Sequence, residues 1–389
     1  MSRRPHVVLD ALLVRERPTG VGRSILELVQ ALADRPRGLR FSVLATAPGM
    51  FDMLAGKEAW SVVPCPGAAG GTLRKALYTQ MRLPRLVADL AGDLLHSLQF
   101  VTPLRLGVPR VVTVHDLAYR HFPGTIEQPR RAYYEALVPP SLRRAAAIVT
   151  NSQATADDVR ATFPEVAHRV SVTPFGTPSW VWAALAGGGP VRDTAASGVP
   201  ARPYLLFVGT LEPRKNLEGL LAAYGLFRRQ ATGRQGGDTP VPDLVLVGGR
   251  GWKDSRLRDL MTPLVAAGHL HVVDYCDTTR LFAYYRAARA LLLPSLHEGF
   301  GFPILEAMAA GIPVLTSARG AMAEVAGSAA VLVDPDDPAD IARGLAAVDR
   351  DPDTRRRCRE DGPRRARQWT WARTADTTEN VYREVLAGV

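Results

Sequence analysis

Lysine is scarce in this chain. Of 48 basic residues only Lys57, Lys75, Lys215 and Lys253 are lysines, and the rest are arginines. Beside 34 glycines, 30 prolines and abundant alanine, that imbalance reads as coding bias toward G and C. The net charge of +10 is therefore a weak signal for nucleic acid, although it suits an anionic small molecule. No nucleic-acid partner is expected, and each lysine gains individual interest.

Cysteine is equally sparse. Cys65, Cys276 and Cys358 are far apart and odd in number, which excludes a disulfide framework and a cysteine metal cluster. No apolar run approaches the length that spans a bilayer. The run after Arg3 and Arg4 is broken by Asp10 and Arg15, so it does not read as a secretory signal, and a cytoplasmic protein is expected. There are no internal repeats, no Gly-x4-Gly-Lys-Ser/Thr phosphate loop and no His-Glu-x-x-His zinc motif. With 389 residues, 47% of them apolar and 22% charged, the chain has the composition of a globular protein of two ordinary domains.

What the sequence does contain is an alternation of short apolar strands and amphipathic helices. Val7–Leu9, Phe41–Leu44, Asp93–His96, Arg110–Val114 and the stretch ending at Thr150 read as strands of a first parallel sheet. Thr19-Gly-Val-Gly-Arg-Ser24 reads as a glycine loop, with Gly20 and Gly22, opening a helix from Ile25 to Leu32. As a dinucleotide fingerprint it is weak, because the third glycine position is Ile25. Residues 187–203 are rich in Gly and Pro and mark a linker, dividing the chain into domains 1–186 and 204–365, with a final segment 366–389. The second half opens a new sheet with Tyr204–Gly209, followed by Leu244-Val-Leu-Val-Gly-Gly-Arg-Gly-Trp252 and Val272–Asp277.

Residues 71–90 combine Arg74, Lys75, Arg82 and Arg85 with Leu73, Leu77, Met81, Leu83 and Leu86. Such a stretch can lie on anionic membrane. The favoured reading is a surface helix whose arginine stems cover apolar neighbours, so peripheral membrane contact is possible but not favoured.

The chemistry concentrates at Leu293–Thr316, read as strand, glycine loop, helix and strand. Pro303 suits the first helical position, and Gly311 and Pro313 the stop, giving a helix over roughly 303–310. Glu298 precedes it and Glu306 lies within it, eight residues on. Between them the amides of Gly299, Phe300 and Gly301 lead into a helix N-terminus suited to an anion. Two acceptors flanking an anion hole suit a ligand with both hydroxyls and phosphate, a nucleotide sugar. A structural alternative is that Glu298 caps the helix and Glu306 is merely solvated. Arg214 and Lys215 stand just before a helix beginning near Leu217, where cations oppose the helix dipole unless a more negative partner binds. His115 and Asp116 follow an apolar strand, at the end of an open α/β sheet where ligands bind. Asp334-Pro-Asp336 spells an Asp-x-Asp pattern, but Pro335 and Pro338 make it a turn.

The Glu298-x7-Glu306 pattern resembles the signature of the retaining nucleotide-sugar glycosyltransferases of the GT-B fold, family 4. The likeness extends in order through the 19–23 loop, 111–116, 209–216 and 298–306. It implies two facing Rossmann-like doubly wound α/β domains, acceptor-side and donor-side, with the last helix returning to the first. It implies Glu298 beside the donor sugar, Glu306 on the ribose hydroxyls, and the Gly209 loop with Arg214 and Lys215 on the diphosphate. By the same resemblance the Gly20–Gly22 loop approaches the diphosphate, His115 contacts sugar and phosphate, and the base lies against Tyr275 and Cys276, largely through backbone. Many members carry Arg directly after the strand glycine, where this chain has Thr210, so one phosphate contact is missing or supplied elsewhere.

The implied reaction moves a sugar from a nucleoside-diphosphate sugar to an acceptor hydroxyl with retention, without cofactor or metal. The acceptor stays open between a lipid-linked or polysaccharide glycan and a small natural product such as an aminocyclitol. Polysaccharide and antibiotic biosynthesis both fit. The rivals are a sugar-nucleotide epimerase of the same fold and an inactive nucleotide-sugar-binding protein.

Overall fold

The computed structural model describes residues 3–35, 38–187, 199–232, 240–249 and 255–388. The core of the expected linker and the Arg250-Gly-Trp252 end of the second-half glycine loop lie outside the described residues.

Runs of Val, Leu and Ile with no polar alternation suit strands covered on both faces, and such strands build parallel sheets. The chain has two. In the first, β1 (His6–Asp10), β2 (Arg40–Ala45), β3 (Trp60–Pro64), β4 (Leu94–Ser97), β5 (Arg110–Val114), β6 (Ala147–Thr150) and β7 (Val170–Val172) run in the order β3-β2-β1-β4-β5-β6-β7. Every pairing is parallel. In the second, β8 (Tyr204–Val208), β9 (Asp243–Val247), β10 (Leu270–Val273), β11 (Ala290–Leu293), β12 (Val314–Ser317) and β13 (Val331–Val333) run in the order β10-β9-β8-β11-β12-β13, again all parallel. Both orders contain the doubly wound 3-2-1-4-5-6 arrangement. Each sheet therefore has one switch point, between β1 and β4 and between β8 and β11, where successive connections leave toward opposite faces and open a crevice.

The chain divides into two units, Met1–Gly176 with Thr370–Val389, and Thr177–Trp369. The boundary expected at 187 falls instead after Gly176. The helix Ser179–Ala186, assigned from sequence to the first domain, packs within the second unit, where Trp180 meets the ring of Phe282 edge-on at 6.4 Å. The final helix, Trp371–Ala387, belongs to the first unit. There it packs on the helix Gly20–Ala33, and the buried Tyr382 hydroxyl bonds His96 Nδ1 at 2.6 Å. His96 is also bonded to Thr113 at 2.8 Å, and burial drives its pKa down to about 3, so it is neutral in the fold.

The glycine loop expected at 19–23 is not a loop. The helix begins at Gly20, and Gly22 lies inside its first turn. The turn runs close under the incoming chain: a Cβ on Gly22 would sit 3.0 Å from Pro18 Cβ. Close packing thus accounts for Gly22.

Candidate active site

In the second unit the switch point brings two sequence-distant loops together. Gly209 ends β8 at φ +151, and Gly248 ends β9 at φ +155. The two strand ends touch backbone to backbone, since a Cβ on Gly248 would fall 2.1 Å from the Gly209 carbonyl oxygen. A Cβ on Gly209 would lie 3.4 Å from Lys215 Cε, so the bare glycine leaves room for the lysine stem to fold back over the strand end.

After Gly209 the chain makes a 3-10 turn at Pro213–Lys215 and then takes a left-handed residue, Asn216, at φ 59. Asparagine tolerates that conformation, and here its side chain adds a clasp, Nδ2 donating to the carbonyls of Pro294 (3.1 Å) and Pro335 (2.6 Å). The Leu296 amide donates to the Arg214 carbonyl at 2.8 Å. The loop after β8 is thereby tied to the loop after β11.

Those ties converge on Glu298. Lys215 Nζ donates to Glu298 Oε1, and Arg214 donates from one terminal nitrogen to Oε2 at 2.8 Å. Ser295 Oγ adds a bond to Oε1 at 3.1 Å, and Arg214 Nε holds Glu212 at 2.9 Å. Glu298 and Lys215 are only 9% and 7% exposed, so their pairing is shielded from water. Burial alone would raise the carboxyl pKa, but the charges and hydrogen bonds of Lys215 and Arg214 outweigh it and hold Glu298 at about 2. Burial pulls Lys215 below the ordinary lysine range, with the Glu298 charge opposing. Glu298 is therefore no helix cap: it is the anionic centre of a cluster with Arg214 and Lys215.

The helix that follows is Phe302–Ala309, one residue earlier than expected, so Pro303 takes its second position. Gly301 enters it at φ 97, a conformation that glycine reaches without strain, and as a glycine it offers no capping side chain of its own. Glu306 is buried at 4% exposure and accepts the Tyr285 hydroxyl at 2.7 Å. It is not the solvated residue of the structural alternative. At the other end Gly311, at φ +72, stops the helix. Beyond β10, Tyr275 is 54% exposed and Cys276 is buried. Asp334 and Asp336 lie in a turn and pair with Arg319 at 2.6 and 2.5 Å. Among the described residues no group of three or more His, Cys, Asp or Glu is arranged to hold a metal ion.

The first unit holds the remaining expected residues. His115 follows β5 and is buried, its Nε2 bonded to the Leu98 carbonyl at 3.1 Å, with Phe100 and Phe175 packed at 5.8 and 5.9 Å. Desolvation lowers its pKa, the Leu98 carbonyl opposing. Asp116 accepts the Ala118 amide at 3.0 Å and fixes the turn into the next short helix. Gly20 is exposed at the start of its helix.

The sequence reading missed Ser295, Asn216 and Tyr285, and in the first unit it missed Asp10. Asp10 ends β1 at the switch point, 1% exposed, accepting from Gln99 at 2.8 Å and from the Leu12 amide at 3.2 Å. Burial raises its pKa. Lys75 stands near enough to interact with it and is itself lowered to about 8 by desolvation, against the Asp10 charge.

Two family models match the chain: "Glycosyltransferase Family 4" over residues 18–178 and "Glycosyl transferases group 1" over residues 194–365. The O-antigen chain mannosyltransferase B of Escherichia coli is 31% identical over 376 residues, covering 94% of this chain and 96% of that protein. Among solved structures, the sucrose-phosphate synthase of Thermosynechococcus elongatus superposes with a TM-score of 0.73 at 22% identity, covering 99% of this chain and 100% of that one. Anabaena HepE, in complex with UDP and glucose, superposes with a TM-score of 0.69 at 18% identity over 99% of this chain and 100% of that one. The two parallel-sheet Rossmann-like domains agree with these likenesses. The chain belongs to the family 4 glycosyltransferases of the GT-B fold.

Proposed function

We propose that this glycosyltransferase moves a hexosyl group from a nucleoside-diphosphate hexose to a hydroxyl of a growing glycan, with retention and without a metal. The observation that carries this reading is the convergence of Arg214 and Lys215 on Glu298 beside the N-terminus of Phe302–Ala309. Cleaving the sugar–phosphate bond leaves negative charge on the diphosphate. Two cations and a helix N-terminus at one switch point are suited to stabilise it. In this reading the phosphate takes up donors of Arg214 and Lys215 that now serve Glu298, and the carboxylate turns to the sugar hydroxyls. Glu306, held by Tyr285, receives the ribose hydroxyls. Tyr275 and Cys276 flank the base. His115 and the start of the Gly20–Ala33 helix belong to the sugar and phosphate side of the first unit.

A glycan acceptor is supported by the mannosyltransferase from Escherichia coli, which matches this chain nearly end to end. A nucleoside-diphosphate donor is supported by the UDP bound in the Anabaena neighbour. The test is turnover of purified protein with UDP-, GDP-, ADP- and dTDP-hexoses and glycan acceptors, in EDTA, with the product's anomeric configuration read by NMR. Transfer with the donor's configuration kept supports the proposal. Inverted product, an absolute need for added metal, or free sugar released without acceptor would each overturn the corresponding part of it.

A further inference from the structure

Residues 72–89 form two short helices, Thr72–Leu77 and Leu83–Asp89, joined by a π turn over Tyr78–Arg82. One side of this segment is buried through Thr79, Leu83 and Val87. Residues four apart on a helix share a side. The opposite side carries Leu73, Leu77 and Met81, exposed by 74%, 53% and 63%. Among the described residues these three account for much of the large apolar surface left exposed, and they are consecutive along one stripe.

The arginine stems do not cover it. Arg74 folds away over the preceding turn, its Nε donating to the Gly67 carbonyl at 3.1 Å and its Cδ packing on Gly70. Arg82 and Arg85 are exposed and make no ion pair among the described residues. The only acidic residue from 72 to 89 is Asp89, at the far end. An apolar stripe flanked by three arginines, with its acid displaced to one tip, matches an interfacial helix. A second protein copy would bring three more arginines against these, whereas an anionic lipid surface supplies acyl chains for the stripe and phosphates for the arginines. No described helix is long and apolar enough to cross a membrane, so the contact is with the surface.

We propose that the Leu73–Leu77–Met81 stripe, with Arg74, Arg82 and Arg85, docks this enzyme on an anionic lipid surface.

The test is co-sedimentation of the full chain with vesicles of phosphatidylcholine alone and of phosphatidylcholine with 30% phosphatidylglycerol. The expected result is binding to the anionic vesicles that weakens with salt. The variant Leu73→Ser/Leu77→Ser/Met81→Ser leaves the charge unchanged and should bind roughly tenfold or more weakly, with unaltered melting and soluble-acceptor turnover. Arg82→Glu/Arg85→Glu should weaken binding at least as much. Three results would overturn the proposal: no binding of the wild type, equal binding of the serine variant, or a wild-type dimer that the serine variant converts to monomer with vesicle binding intact. Failure of turnover in every assay would sink the proposed function but leave this result standing.

Discussion

Replacing Glu298 by glutamine keeps the shape of the side chain and removes the charge that Lys215 and Arg214 surround. In the fold the carboxyl is held at about 2, against an ordinary value of 4.5. That difference corresponds to about 3 kcal/mol of stability at neutral pH. In a unit the size of Thr177–Trp369, each kcal/mol moves Tm by about 2–4 °C. Glu298→Gln should therefore lower the melting of the second unit by about 6–12 °C at pH 7 in scanning calorimetry. Because the folded pKa is depressed, the stabilisation is complete above the unfolded value and is lost as pH falls through the folded one. The gap between wild type and variant should stay constant from pH 7 to about 5, then narrow, with about half remaining near pH 3. A variant that melts within about 2 °C of wild type at pH 7, or a gap that does not change down to pH 3, would refute the buried-cluster reasoning.

Tyr285→Phe removes the 2.7 Å bond to Glu306 and should cost about 1–3 kcal/mol. If Glu306 holds the donor it should also raise KM for the nucleotide sugar several-fold more than it lowers kcat; unchanged KM and Tm would count against both roles. Gly248→Ala sets a methyl 2.1 Å from the Gly209 carbonyl. It should destabilise the second unit by about 3 kcal/mol or more and disturb the Lys215 loop, whereas Gly249→Ala, with nothing within 4 Å among the described residues, serves as the neutral control in the same melts.

The sheets were legible because their strands are unbroken apolar runs. Tyr204–Val208 and Ala290–Leu293 need no tertiary information to be recognised, and the glycines and prolines after them mark the loops. The partners of the site residues were not legible. Tyr285 reaches Glu306 from 21 residues away, and Asn216 reaches Pro335 from 119. Only the strand order brings such positions together, and no local pattern encodes it. The unit boundary was misread for a related reason. Composition shifts at the Gly/Pro stretch after 187, but the helix Ser179–Ala186 had already passed to the second unit through packing of Trp180 on Phe282. Arginine stems were expected to cover the 71–90 segment. That expectation failed because Arg74 found a nearer acceptor in the Gly67 carbonyl.

The most direct measurement of the central claim is calorimetric titration of UDP, GDP, ADP and dTDP into wild type, Arg214→Met and Lys215→Met, without metal. The account predicts that at least one nucleoside diphosphate binds the wild type and stabilises the second unit increasingly with the logarithm of its concentration. Each variant should lose roughly a hundredfold in affinity, about 3 kcal/mol, consistent with a charge-assisted phosphate contact. Failure of every nucleotide to bind, or equal binding by wild type and both variants, would contradict the placement of the donor diphosphate at Arg214 and Lys215.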